Sequence, residues 1–556
     1  MQGRSVELTS LTRVCRLLSV FVCLKLSLVS PLSATDFFLT IGGGYKPEGN
    51  QASLEANVLF FQQVLQTQHA GEHKHAIFFA DGNDPQPDLQ VLKPKRKDEN
   101  TQASDGPVSE LLQQLYSSRN DDDGTVEYRN HQIENVSGPN LPRSIRTSLR
   151  DMSREMRDGD RLIIYVTAHG DEAEGRNQYN TSISCWNNQS IGASEFARWL
   201  DDVPSSVPAI MVMAQCYCGG FAHTIFDNAQ RRDGLADRVR VGFFAQQHDL
   251  PAAGCRPDIE NDEEYSNFFW GAFVGRSRTG KDMRSADFNH DGNISFAEAH
   301  AHAMLTSETI DIPLRSTEAL LRAYSRIADY DHRRDRDKET DAPNSNTESN
   351  EEVSDDQADV QTGAERWFDG DGLASMAGTL AELVEGATPE LQQTVEGLAK
   401  QLGINLSDDV PVVFVRFQDQ RDDSRELRRM SRRGQRRGGS GRRQLQAEIS
   451  EKWPQLSAQN WKSAPILQEA DQSDLLEQIA KLANYERFTD SARSRQQSQQ
   501  ARAQAELREV KFQRLVNTLE AIVLARNLEQ LADAEVVQRY QAMLKLEQSS
   551  LSALSK

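Results

Sequence analysis

Two places in the chain combine residue types that can break a covalent bond. The run Arg161–Gly170 (RLIIYVTAHG) ends in His169-Gly170, and the run Ala209–Cys216 (AIMVMAQC) ends in a thiol. A cysteine acts as a nucleophile when an imidazole within reach takes its proton or holds it as thiolate, provided N–H donors meet the developing oxyanion. His169 can serve Cys216 in either way and later protonate a leaving amine. Gly170 lacks a Cβ, so the chain can turn sharply there and present its N–H to a substrate carbonyl. Gly219-Gly220 would leave room for substrate beyond the thiol. Cys218 offers a second thiol. Cys216 is taken as the nucleophile because it stands at the strand end after Gln215, and Cys218 is the fallback. The bland alternative is a buried sheet with a core histidine and ordinary free thiols.

A second constellation suits calcium. Asp287-Phe-Asn289-His-Asp291-Gly292-Asn293-Ile294-Ser295-Phe-Ala-Glu298 places oxygen-bearing side chains at positions one, three and five of a twelve-residue loop. Glycine sits at the sharp turn, and the glutamate at the end can bind bidentately. The expected ligands of Ca2+ are therefore Asp287, Asn289, Asp291, Asn293 and Glu298, with Ile294 turned into the core. Phe296–Leu305 reads as an exiting helix, whereas Arg276–Ala286 has little apolar periodicity and contains Gly280. A single hand of this kind implies a structural or buffering ion rather than a switch. The competing reading is a solvated acidic turn.

The elements that must hold these groups read as α/β. Leu162–Val166 and Ala209–Met213 are short β-branched-rich runs hemmed by polar residues, the pattern of buried parallel strands. As neighbours in one sheet they would deliver His169 and Cys216 to the same edge, where open α/β sheets bind ligands. Upstream, Phe37–Ile41 (strand), Ser53–Gln66 (helix), Ala76–Phe79 (strand), Val108–Tyr116 and Leu141–Met156 (helices) alternate as β-α units, which predicts a mostly parallel sheet flanked by helices. The Gly42-Gly43-Gly44 turn lacks the lysine and spacing of a phosphate-binding loop. Asp81–Asp88 holds acids that could bind a cation, but Pro85 and Pro87 favour a surface turn. Ser194–Leu200, Tyr265–Val274 and Leu314–Ile327 read as further helices.

An apolar strand ending in His-Gly, followed by an apolar strand ending in Gln-Cys, resembles the caspase/legumain superfamily of cysteine peptidases. His169 and Cys216 lie 47 residues apart in that order, close to the roughly 50 of caspase-like enzymes. The stretch Val241–Cys255 (VGFFAQQHDLPAAGC) is similar to the strand and loop that shape the primary specificity pocket of legumain-type members. The resemblance spans about Thr35 to Tyr330. It implies a caspase-like fold, endopeptidase activity on protein or peptide substrates, and no obligatory acidic third member of the Cys-His dyad. It places substrate contacts at Gln246, Gln247, His248 and Asp249, with further walls near Gly42–Tyr45. By analogy with the helical pro-segment of legumain-type zymogens, the C-terminal helices would cover the site or bind a partner, and cleavage of the linker before them would raise activity. The rival from another class is a calcium-binding scaffold with a caspase-like pseudo-enzyme domain.

Length and charge set the remaining bounds. At 556 residues the chain exceeds one core, and a net charge of −20 argues against nucleic acid as a partner. Residues 1–34 read as an export signal, with Arg13 and Arg16 before an apolar run and Leu32-Ser33-Ala34 as the cleavage site, although Lys25 interrupts the run. The expected location is periplasmic or extracellular; if the segment is instead an internal helix, the protein is cytosolic with free thiols. No stretch is apolar enough for a transmembrane helix. In an oxidising compartment Cys185 could pair with Cys218 or Cys255. The peptidase-like part is expected at 35–330, an acidic disordered linker at 331–372, and a mainly α-helical region at 373–556. Residues 339–359 carry eight acids and no base, and Arg421–Arg443 holds ten arginines against three acids. The arginine run reads as a solvated flexible segment with the acidic linker as its electrostatic partner. Pro411–Phe417 reads as one short strand, and Leu373–Leu406 and Gln468–Leu551 as helical.

Overall fold

A computed structural model describes residues 34–69, 71, 73–93, 106–116, 125–254, 263–328, 372–467 and 472–551, apart from the side chains of 93, 125 and 432–440. All but the last residue of the expected export signal 1–34, Cys255 and nearly all of the expected acidic linker 331–372 lie outside the described residues. In chain order the first elements are β1 (Asp36–Gly43), α1 (Ala52–Gln68), β2 (His73–Phe79), β3 (Leu89–Lys93), α2 (Pro107–Tyr116), β4 (Thr125–Arg129), α3 (Pro142–Glu155) and β5 (Arg161–Ala168). There follow β6 (Gly170–Asp171), β7 (Ser182–Cys185), β8 (Gln189–Gly192), α4 (Ala193–Leu200), β9 (Ala209–Met213), β10 (Arg240–Phe244), α5 (Tyr265–Val274), α6 (Phe296–Thr306), β11 (Leu314–Arg315) and α7 (Ser316–Tyr324).

Six strands form the central sheet in the order β11-β10-β9-β5-β1-β2, parallel except for β11. Every residue of β1, β5, β9 and β10 is buried, because α1 and α3 make crossovers that step in opposite directions from β1 and so cover opposite faces. On one face Phe61 of α1 and Trp270 of α5 close on Tyr165 of β5, with ring centroids 5.0 and 5.4 Å away. The direction of winding reverses between β1 and β5. A crevice opens outside the strand ends at such a point.

The C-terminal region contributes α8 (Leu380–Val384), α9 (Pro389–Leu402), α10 (Val410–Lys452), α11 (Ser473–Ala480), α12 (Tyr485–Leu531) and α13 (Ala534–Glu547). Helices α10 and α12, of 43 and 47 residues, pair antiparallel: Phe417 stacks on Phe512 at 5.9 Å, and Glu448 accepts from Asn484. Two sequence expectations are corrected here. Pro411–Phe417 is helical, with Val410, Val413 and Phe417 buried and Val412 and Val415 exposed, a spacing of three and four that buries one helix face. Arg421–Arg443 is also helix rather than a flexible run, since arginine is a strong helix former and α12 supports the stretch. Arg428 pairs with Glu506 and Glu509 of α12.

These helices complete the core instead of forming a detachable cover. Their apolar residues, among them Leu519, Val523 and Met543, belong to the same buried cluster as the sheet. Glu547, fully buried, accepts from Arg315 and Thr317, while Arg514 of α12 donates to the carbonyls of Met304, Ser307, Thr309 and Asp311. Near the beginning of β5, Arg161 reaches Ser549 and the Ser550 carbonyl, so the C-terminal segment docks at the strand-start edge. His169 and Cys216 leave the opposite edge. Among the described residues no helix is long and apolar enough to cross a membrane.

Arg161 also makes a two-point contact with Asp36, which His69 meets at 2.9 Å. Burial alone would raise the Asp36 carboxyl, but the hydrogen bonds and charges of His69 and Arg161 together hold it below its usual value. A depressed carboxylate contributes stability above its unfolded pKa of about 3.9 and loses it as pH falls through the folded value. Asp36→Asn is expected to cost about 3–5 kcal/mol near neutrality, the cost of leaving a buried arginine unpaired. It should also shift the acid limb of a denaturation profile, read by circular dichroism; an unchanged melting temperature contradicts this.

Candidate active site

The pairing of β5 with β9 decides the site. The two strands run parallel with Leu162 opposite Ala209 and Val166 opposite Met213, and Ala214 N–H still donates to the Val166 carbonyl. Carried past the strand ends, the same offset sets His169 opposite Cys216. The backbones then come closer than any side chain allows: a Cβ on Gly170 would stand 2.2 Å from the Cys216 carbonyl oxygen and 3.0 Å from that of Ser182. Glycine at 170 is thus demanded by packing. Because His169 O accepts from Ser184 N–H, Gly170 takes the non-bonded position of the β6–β7 ladder, and its N–H faces away from β7.

His169 is oriented by the turn that follows β1. Its Nε2 lies 2.8 Å from the Gly49 carbonyl and 2.8 Å from Gln51 Oε1, with the Tyr45 ring edge-on at 5.5 Å. A carbonyl can only accept, so Nε2 carries the proton and the neutral ring keeps its lone pair on Nδ1. Burial pulls the imidazole pKa down, against the opposing Gly49 bond and Asp171 charge. Gly44 makes the turn feasible, since a Cβ there would meet the Gly49 carbonyl oxygen at 2.0 Å. The Gly42–Tyr45 stretch therefore positions the base.

Cys216 is half-buried, at a sharp turn completed by Tyr217 in the left-handed region (φ 60°). Burial raises its thiol pKa, with Asp311 and Asp171 adding to the effect and the Ala252 N–H opposing it. Burial thus moves the imidazole and the thiol in opposite directions, each toward its neutral form. Cys218 is fully buried, its sulfur held between the Gln246 N–H and carbonyl. That removes the fallback nucleophile. Cys185, Cys216 and Cys218 are all free thiols, so the Cys185–Cys218 pairing does not form, and Cys255 lies outside the described residues.

The loop after β10 buries one of the four expected substrate contacts and leaves the other three at least partly accessible. Gln246 is 1% exposed, and its amide donates to the Pro251 and Ile310 carbonyls and accepts from the N–H groups of Gln247 and Ile312. It is a structural clasp. The His248 ring packs on Tyr179 at 4.6 Å, Gln247 is half-buried, and Asp249 stands exposed at the loop tip. Gly219 and Gly220 do not leave room for substrate: Cβ atoms there would strike the backbone of 246–248 and Thr181. The loop lies across the thiol, with Ala252 N–H 3.2 Å from Cys216 Sγ and the Leu250 carbonyl on Tyr217 N–H. Asp311, buried and raised to about 6 chiefly by desolvation, anchors it by accepting from Ala253 N–H. The sequence carried no sign of Asp311, which stands between Ile310 and Ile312 in a short connecting stretch that also holds Glu308.

The calcium-type loop closes on itself. Asp287 accepts from the N–H groups of Asp291 and Gly292, Asn289 from Asp291, and Asp291 from Asn293. Glu298, 2% exposed, accepts from Phe288 and Asn289 through Oε1 and caps α6 with Ser295 through Oε2. Gly292 has φ +84°, as the sharp turn needs. No helix enters the loop from Arg276–Ala286, and Ser295 bridges to Ser550 of the C-terminal segment where a second hand would pair.

No family model matches the chain, and no curated protein matches it. Among solved structures, protein GSU0716 from Geobacter sulfurreducens is similar over 50% of this chain and 92% of its own, at 7% identity and a TM-score of 0.28. The reading of the site therefore rests on its own geometry.

Iodoacetamide labelling of the native protein tests the raised thiol. Because the Cys216 pKa is raised, its rate should be low at neutral pH and climb only on the alkaline side of an ordinary thiol, about 8.5, with Cys185 and Cys218 unlabelled. A rate already at plateau near pH 6 would establish a thiolate–imidazolium pair instead.

Proposed function

We propose that the protein is a cysteine endopeptidase of the caspase/legumain type, exported and carrying a structural calcium ion. The observation that carries this reading is the approach of the His169-Gly170 and Cys216 backbones, with the imidazole fixed through Nε2 so that Nδ1 is left for proton transfer. Cys216 Sγ attacks the scissile carbonyl carbon as its proton passes to His169 Nδ1. The N–H groups of Gly170 and Cys216 hold the oxyanion. Collapse of the tetrahedral adduct breaks the C–N bond, and the imidazolium returns its proton to the departing amine. Water, deprotonated by the same nitrogen, then hydrolyses the thioester and restores the thiol. The loop Gln247–Ala253 must lift from Cys216 for substrate to enter.

Acidic groups stand near the thiol. Asp171 and Asp311 act on the Cys216 thiol, and Glu172 and Asp171 on Tyr217. A field of that sign favours a basic residue on the acyl side of the scissile bond over aspartate. Asp287, Asn289, Asp291, Asn293 and Glu298 would hold calcium, an oxygen-only set that suits a hard cation and would fix the beginning of α6. The scaffold alternative keeps the calcium loop and loses the chemistry.

Two measurements decide the matter. Cys216→Ala should abolish cleavage of a peptide library while the circular dichroism spectrum is unchanged, and the wild type should favour arginine or lysine before the cut. Full activity in Cys216→Ala refutes the mechanism. Calcium should raise the melting temperature of the wild type, and Glu298→Gln should remove most of that shift; equal shifts in both proteins would exclude the loop as the site.

A further inference from the structure

A second group of ligating side chains lies away from both the thiol and the calcium-type loop. Asp81 follows β2, Asp88 precedes β3 and His131 follows β4, so three strand ends converge. One ligand atom from each lies within 4.8 Å of the other two. Two atoms of the group are shut off from solvent without a hydrogen-bond partner, Asp81 Oδ1 and His131 Nδ1. His131 Nε2 sits 2.7 Å from the Gly82 carbonyl, which only accepts, so Nε2 is the donor and the buried, unpartnered Nδ1 is the ring nitrogen left to meet an ion. A ring nitrogen donating to a backbone carbonyl while the other faces carboxylates is the usual orientation of a metal-bound histidine. Asp88, 1% exposed, accepts from His131 N–H at 3.1 Å, which fixes the histidine backbone to the same centre.

We infer that Asp81, Asp88 and His131 bind a divalent first-row transition ion, zinc in the first instance, and that this ion braces the turn that orients His169. A nitrogen donor with two carboxylates suits such an ion, with water completing the shell, whereas calcium takes six to eight oxygens. The link to His169 is short. Asn50, fully buried, donates to the Asp88 carbonyl at 3.0 Å and accepts from Gly44 N–H at 2.9 Å, and the adjoining Gly49 carbonyl receives His169 Nε2. Binding at Asp88 therefore stiffens the 47–51 turn.

The test uses full-length protein carrying Cys216→Ala and Glu298→Gln, which removes the half-buried thiol and the closing glutamate of the calcium-type loop as competing zinc ligands. After chelation, calorimetry should show one zinc per chain with proton release, and adding Asp81→Asn or His131→Gln should weaken binding at least tenfold. Hydrogen exchange at residues 47–51 should slow on zinc addition in the parent and not in those variants. Anomalous scattering at the zinc edge, on the parent alone, should place the ion on all three side chains, which keeps the test decisive if a variant fails to fold. No uptake, an ion located elsewhere, equal affinity in the variants or unchanged exchange would overturn the proposal. None of these readouts requires peptidase activity, so loss of one reading leaves the other standing.

Discussion

Everything in the site depends on one register, that of β5 against β9. In a parallel pair the hydrogen bonds are evenly spaced and the side chains alternate, so a slip of one residue would exchange every buried side chain of a strand buried on both faces. The burial of Leu162–Val166 and Ala209–Met213 locks that register. The offset it imposes continues past the strand ends and brings a histidine and a cysteine far apart in sequence to adjacent backbones. Gly170 then removes the last steric obstacle.

The C-terminal helices support this arrangement from a distance. Arg514, buried on α12, satisfies four carbonyls of the 304–311 segment. From that segment Asp311 holds Ala253, and Ile310 and Ile312 hold the Gln246 amide, which in turn shapes the loop over Cys216. A buried guanidinium without those acceptors would be costly, so the helices and the loop are energetically tied. The long helical hairpin is therefore part of the framework that sets the thiol's cover.

The electrostatics follow from where the sheet edge lies. Desolvation lowers the imidazole and raises the thiol, which favours the neutral form of each. The turn at 47–51 ties the imidazole to the acidic group at Asp88 through Asn50. Small conformational changes in that turn would reach the base before any other part of the site.

Much was legible from the sequence alone. The strand runs that lead to His169 and Cys216, the alternation that makes the sheet mostly parallel, and the sharp turn at Gly292 all rest on local pattern and composition, which any window of the chain displays. What needed the tertiary structure was whatever depends on partners distant in sequence. Pro411–Phe417 reads as a strand until α12 supplies the face that Val410, Val413 and Phe417 bury, and the arginine run reads as flexible until α12 lies beside it, with Glu506 and Glu509 meeting Arg428. The short strands β3, β4, β6, β7 and β8 have mixed polarity and were invisible because their pairing, not their composition, makes them strands. Gln246 shows the same limit: its side chain type fits a specificity pocket, but the acceptors and donors that capture it come from 251 and 310–312, and only folding brings them there.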